Sequence, residues 1–169
     1  MKTRHLVFLL VLVSACAHAA KGHVHGAGTL DISIDKGHIS LALELPLDAA
    51  TGFEHAPKTP KDRAALEHAG NVLKDGATLF IPSPAAQCML KSATVTLPFS
   101  ADKRGAAGDD HADIEAEYTF ECANPAELKA IDTPLFKHFK RLYRLEAQRV
   151  GPSGQGASRL TPKQPTLRW

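Results

Sequence analysis

Two stretches near the start of the chain alternate apolar and polar residues with a period of two. In residues 29–34 (TLDISI), Leu30, Ile32 and Ile34 fall on one side and Asp31 and Ser33 on the other. In residues 39–45 (ISLALEL), Ile39, Leu41, Leu43 and Leu45 share a side. Asp35-Lys36-Gly37 between them reads as a turn in which Gly37 is free to take a positive φ, so the two runs predict a β-hairpin. Residues 46–57 read as a loop. The period then lengthens: Ala65, Leu66, Ala69, Val72 and Leu73 form a helical stripe. Thr59 is its N-cap, Pro60 its first helical position and Asp75-Gly76 its stop.

Beyond the helix, residues 78–81 predict a short extended piece. Residues 88–99 (CMLKSATVTLPF) predict a strand with Val95, Leu97 and Phe99 on one face. A Gly/Ala/Asp loop covers 100–110, and His111 opens a further strand. There Ile114, Ala116, Tyr118, Phe120 and Cys122 oppose Asp113, Glu115, Glu117 and Glu121. Asn124-Pro125-Ala126-Glu127 has the form of a capping box opening a short helix towards Ala130. Residues 135–139 read as another helical turn, 142–150 as a strand, 151–154 as a turn, and the tail to Trp169 as carrying an edge strand. The fold class is α+β: a mainly antiparallel sheet with a few short helices in a single domain.

The first nineteen residues stand outside that pattern. Lys2 and Arg4 precede an apolar run over 6–13 (LVFLLVLV), and Ala17-His18-Ala19 follows as an A-x-A site, the layout of a secretory signal peptide. The run is shorter than the roughly 18–20 residues that span a bilayer. Residues 1–19 are therefore expected to be removed, leaving 20–169 as the domain. Val13-Ser14-Ala15-Cys16 also has the form of a lipobox, so lipidation of Cys16, with membrane tethering, stands as the alternative processing. The whole chain has 20 Lys and Arg against 18 Asp and Glu; without Lys2 and Arg4 the two are equal. A formally neutral mature chain does not point to nucleic acid.

Cys16 is lost or lipidated by either route, which leaves Cys88 and Cys122. Two thiols in an exported, oxidising compartment most simply make one disulfide. A metal-binding role for the pair is the weaker alternative, since they are far apart and neither lies in a C-x-x-C. With the cysteines so committed, a metal site has to be built from histidine, helped by carboxylates. His23 and His25, in the run KGHVHGAG, sit one residue apart just before the first strand, where i and i+2 point to one face. His55, with Glu54 beside it, and His111, with Asp109 and Asp110 beside it, are likewise read as lying at loop–strand junctions. His38, His68 and His138 read as solvated side chains.

The order of motifs resembles the ZrgA-like family of exported zinc-binding proteins. The matching stretches are HVHGAGTLDISI (23–34), GFEHAPKT (52–59), HADIEAEYTFECANPAEL (111–128), IDTPLFKHF (131–139) and the closing LTPKQPTLRW. The resemblance implies a periplasmic protein that binds Zn(II) and assists an ABC-type importer, with no enzymatic activity. His23 and His25 match the family's N-terminal H-x-H, His55 its FEHAP histidine and His111 the histidine before its acidic strand. Relatives often carry a His-rich loop before that last position; here it reads ADKRGAAGDD, which implies a single site rather than storage.

Three other readings compete. Cleavage after Ala20 would expose Lys21-Gly22-His23, an amino-terminal chelator of square-planar Cu(II) or Ni(II), giving a copper- or nickel-binding envelope protein. A structural envelope lipoprotein without specific metal binding is a second. A zinc hydrolase with Glu54 or Glu115 as base is a third, and no H-E-x-x-H or G-x-S-x-G accompanies it.

Overall fold

The hairpin forms as its alternation requires. In the computed structural model, which describes residues 24–99 and 112–169, β1 (Ala27–Asp35) pairs antiparallel with β2 (His38–Pro46), Leu30 opposite Leu43 and Ile34 opposite Ile39. Lys36 and Gly37 both take positive φ, 46° and 90°, the left-handed pair that matches the twist of the two strands. The signal segment, Cys16, His23, Asp109, Asp110 and His111 lie outside the described residues.

Around the hairpin the chain builds a six-stranded sheet in the order β4-β5-β2-β1-β7-β8. The added strands are β4 (Cys88–Thr96), β5 (Asp113–Cys122), β7 (Arg144–Gly151) and β8 (Gly154–Leu160). Every pairing is antiparallel except the one between β1 and β7, which is parallel and sets Thr29 opposite Glu146. A second, smaller sheet joins β3 (Ile81–Pro82), β6 (Ala130–Asp132) and β9 (Thr166–Arg168). The helices are α1 (Leu47–Thr51), α2 (Pro60–Lys74), α3 (Gly76–Leu79) and α4 (Leu135–His138).

One face of the large sheet supplies the core. Leu30, Ile32, Leu41, Leu43, Ile114, Ala116 and Leu145 are buried there, against Leu66, Ala69 and Leu73 of α2 and against Phe80, Leu135 and Phe139. Each fully buried Leu or Ile contributes about 1.5–3 kcal/mol relative to exposure. The other face carries Asp31, Ser33, Ser40, Glu115 and Glu117, all exposed. The architecture is thus the expected α+β one, with helices on one face of the sheet.

Tyr118 ties the layers together. Its hydroxyl donates to the Leu73 carbonyl at 2.7 Å, and its ring lies 5.0 Å from that of Phe80. Burial raises its pKa well above the ordinary phenol value, so it stays a donor. Gly76 passes directly beneath the ring, where a Cβ would collide with it. This contact explains one departure from the sequence reading. Residues 76–79 coil into the α3 turn, which buries Leu79 and Phe80 together, and the chain becomes extended only at Ile81.

Three other local expectations are corrected. Residues 46–57 are not all loop, since α1 follows β2 without a break. Asn124 makes no side-chain cap: its amide donates to the Ala85 carbonyl, Pro125–Glu127 form a 3-10 turn, and Ala130 already belongs to a strand held by the Ser83 hydroxyl. The strand predicted over 88–99 ends at Thr96, and Phe99 lies beyond it, taking φ 62° with its side chain exposed. Cys88 and Cys122, by contrast, are direct cross-strand partners and form the disulfide.

The start of α2 has a complete capping box. The Asp62 amide donates to the Thr59 hydroxyl at 3.1 Å, and the Asp62 carboxylate accepts from the Thr59 amide at 3.0 Å. These Thr59 contacts, with the Lys58 amide, hold the Asp62 carboxyl below its usual range. A lowered folded-state pKa means that this stabilisation is complete above the unfolded carboxyl value and is lost as pH falls through the folded one. Acid melts of Asp62→Asn are accordingly expected to show a shallower loss of Tm below about pH 4 than wild type; parallel curves would contradict this.

Candidate metal centre

The site is assembled where the chain enters β1 and leaves β2. Gly26 takes φ 69° and is locked in place: its carbonyl accepts from the Tyr143 amide at 3.0 Å, and a Cβ would meet the Arg141 carbonyl at 2.7 Å. This fixes the neighbouring His25. At the far end of β2, Pro46 leads straight into α1, whose first turn carries Asp48. The Gly26 amide donates to Asp48 Oδ1 at 3.4 Å, which joins the two ends.

The chain after α1 folds back to supply the third group. Gly52 closes the helix at φ 89°, its amide donating to the Asp48 carbonyl at 2.9 Å. Thr51 Oγ1 then donates to the Leu47 and Phe53 carbonyls, turning the backbone so that Glu54 returns over α1. His25 Nδ1 lies 2.8 Å from Glu54 Oε1 and 3.6 Å from Asp48 Oδ2.

One donor atom from each of His25, Asp48 and Glu54 lies within 4.8 Å of the others. In tetrahedral zinc coordination, ligand atoms about 2 Å from the ion stand roughly 3.3 Å apart. The spacings found are within a small side-chain adjustment of that. The His25 side chain is 67 % exposed, whereas those of Asp48 and Glu54 are 17 % and 29 % exposed. Two partly screened carboxylates below one accessible imidazole therefore make an open cradle with a formal charge of −2 when the imidazole is neutral. Such a cradle matches a divalent cation and leaves room for a fourth ligand. It also serves as an ordinary ion pair when His25 is protonated.

His55 is close in sequence but is not brought into this group. Its ring stacks on Phe53, centroids 5.1 Å apart, and its Nδ1 lies 2.9 Å from the Ala56 carbonyl. A carbonyl only accepts, so Nδ1 is the donor in this contact; in a neutral imidazole so held, Nε2 is the nitrogen that can ligate a metal. Its flanking elements are two helices, not a strand. Asp48 was the residue that sequence reasoning missed. It lies in the first turn of α1, four residues before the Gly52 that closes the helix.

The chain is thus a disulfide-bonded α+β domain in which His25, Asp48 and Glu54, side chains of the types that ligate metal ions, converge at the mouth of the central hairpin. Residues 22–169 match the family model described as ZrgA family zinc uptake protein, and the chain belongs to that family. No curated protein matches the chain. The family is one of zinc uptake, not an enzyme family. Among the described residues no helix is long and apolar enough to cross a membrane.

Proposed function

We propose that this chain captures Zn(II) in the periplasm and assists its delivery to an ABC-type importer, with His25, Asp48 and Glu54 as the nucleus of the site. The observation that carries this reading is the convergence of those three side chains in a member of a zinc uptake family. His23, His55 and His111 are proposed as further ligands, with Asp109 and Asp110 auxiliary. Their chain neighbours support this: Ala112, next to His111, accepts from the amide of Leu47, which precedes Asp48, at 2.9 Å.

The chemistry suits reversible capture. Imidazole and carboxylate bind zinc well, yet an exposed site on a loop and a short helix releases it without unfolding the sheet. A hydrolytic role fits less well, because Glu54 is engaged with His25 as a ligand and Glu115 belongs to the exposed face of the sheet.

The test is equilibrium competition for Zn(II) between the processed protein and a chromophoric chelator. We expect saturable binding of one ion per chain, weakening steeply between about pH 7.5 and about pH 5, since an imidazole must be unprotonated to ligate. Binding that does not change over that interval would exclude a histidine-based site. Tighter binding of Cu(II) that depends on a free amino terminus at Lys21 would favour the copper reading.

A further inference from the structure

At the other end of β7 from the cradle lies Arg149, the one charged side chain buried among the described residues, at 6 % exposure. It projects from the core side of the sheet, aligned with Leu145 and Ala147. Its Nη1 donates to the Ser153 hydroxyl at 3.0 Å and to the Gly154 carbonyl at 3.1 Å, both in the β7–β8 turn. The Trp169 ring covers the guanidinium, 5.0 Å from Cζ to centroid.

Those contacts use one nitrogen only. Nε and Nη2 have no acceptor among the described residues, and neither is sealed from solvent. No carboxylate among those residues pairs with the guanidinium. Burying a cation without a counter-charge is costly, which makes an arrangement of this kind unusual for a purely structural arginine.

The surroundings keep the vacant edge accessible. Gly156 is the cross-strand partner of Arg149 in β8, the outermost strand of the sheet. A Cβ at Gly156 would stand 3.4 Å from Nη2 and 4.0 Å from Nε, on the approach to that edge. Gly156 has no positive φ to explain its identity. The Nε–Nη2 edge presents two parallel N–H groups, the geometry that a planar carboxylate accepts in bidentate fashion.

We infer that Arg149, roofed by Trp169 and approached over Gly156, is a carboxylate-binding site separate from the zinc cradle. Its ligand is a small carboxylate or the carboxylate of a peptide lying along the free edge of β8. The closing LRW segment, which the zinc chemistry does not use, then acts as the aromatic roof of this site.

Trp169 is the single tryptophan of the chain, so its fluorescence reports directly on Arg149. The full processed protein is titrated with sodium acetate against sodium chloride at constant ionic strength. We expect a saturable change with acetate in the order of millimolar and none with chloride. Arg149→Lys, which keeps the charge but loses the fork, is expected to abolish it. Gly156→Ala, which leaves Arg149 in place and fits its surroundings, is expected to weaken it about tenfold with an unchanged melting curve. Superimposable acetate and chloride traces, or a Gly156→Ala variant that responds like wild type, overturn the proposal and leave Arg149 as a pin for the turn. Tighter binding of inorganic phosphate than of acetate overturns the carboxylate assignment. A glutamate-bearing extended peptide that binds more tightly than acetate, with the same variant dependence, identifies the peptide source; equal affinity identifies the small ligand.

Discussion

Substituting any one of His25→Ala, Asp48→Asn or Glu54→Gln is expected to weaken Zn(II) binding by about a hundredfold, close to 3 kcal/mol. Each change removes one of three donors that lie within 4.8 Å of one another, and neither amide replaces an anionic oxygen. The folded state is expected to tolerate all three, because His25 is largely exposed and the two amides are isosteric. His55→Ala is expected to cost less, about tenfold, since its ring is held on Phe53 rather than among the donors. Competition titrations of the four variants beside wild type give the order. If the Asp48 and Glu54 variants bind like wild type while His55→Ala does not, the cradle is an ion pair and the zinc site is centred on His55.

Reducing the disulfide, or replacing Cys88 and Cys122 by Ser, is expected to destabilise the fold by about 3–4 kcal/mol. The bond closes a loop with a sequence separation of 34 residues, and its loss returns that loop's freedom to the unfolded chain. It also fastens β4, an edge strand, to β5 at one end of their pairing. For a domain of this size the change lowers Tm by roughly 10 °C. Thermal melts with and without reductant measure it, and a shift below about 2 °C would mean that the β4–β5 contacts suffice without the bond. Zinc affinity at 25 °C is expected to stay within a factor of about two, because the cradle is built on the β1 and β2 ends and α1.

Much of the sheet was legible because its strands are half buried. Leu30 to Ile34, Ile39 to Leu45 and Ile114 to Phe120 alternate, with Ala42 the one apolar residue on the outward side, and each burial pattern follows the alternation. The start of α2 was legible through Thr59 and Pro60, which act locally. What could not be read depends on contacts distant in sequence. The α3 turn exists because Gly76 meets Tyr118, and Asn124 abandons its cap for the Ala85 carbonyl. The parallel pairing of β1 with β7 leaves no mark in either strand's own pattern.

The candidate site was partly legible for the same reason. His25 and Glu54 stood out by type and by neighbours. Asp48 did not, because the five-residue α1 is too short for a helical period and hides in a stretch that reads as loop. The contacts of its carboxylate with the Gly26 amide and the His25 ring place it where the two hairpin ends meet.

The parallel β1–β7 pairing bears on the order in which the molecule matures. Ala27, near the beginning of the domain, finds its partner Arg144 only when the last third of the chain is present, and Gly26 is pinned by Tyr143 in the same region. A chain emerging N-terminus first therefore holds an early hairpin whose β1 edge stays open, a template for wrong partners until β7 arrives. Such long-range closure is slow. The locked Gly26 that orients His25 forms with it, so the proposed zinc site is complete only in a finished molecule, and apo and zinc-supplied chains should acquire their native state at the same rate.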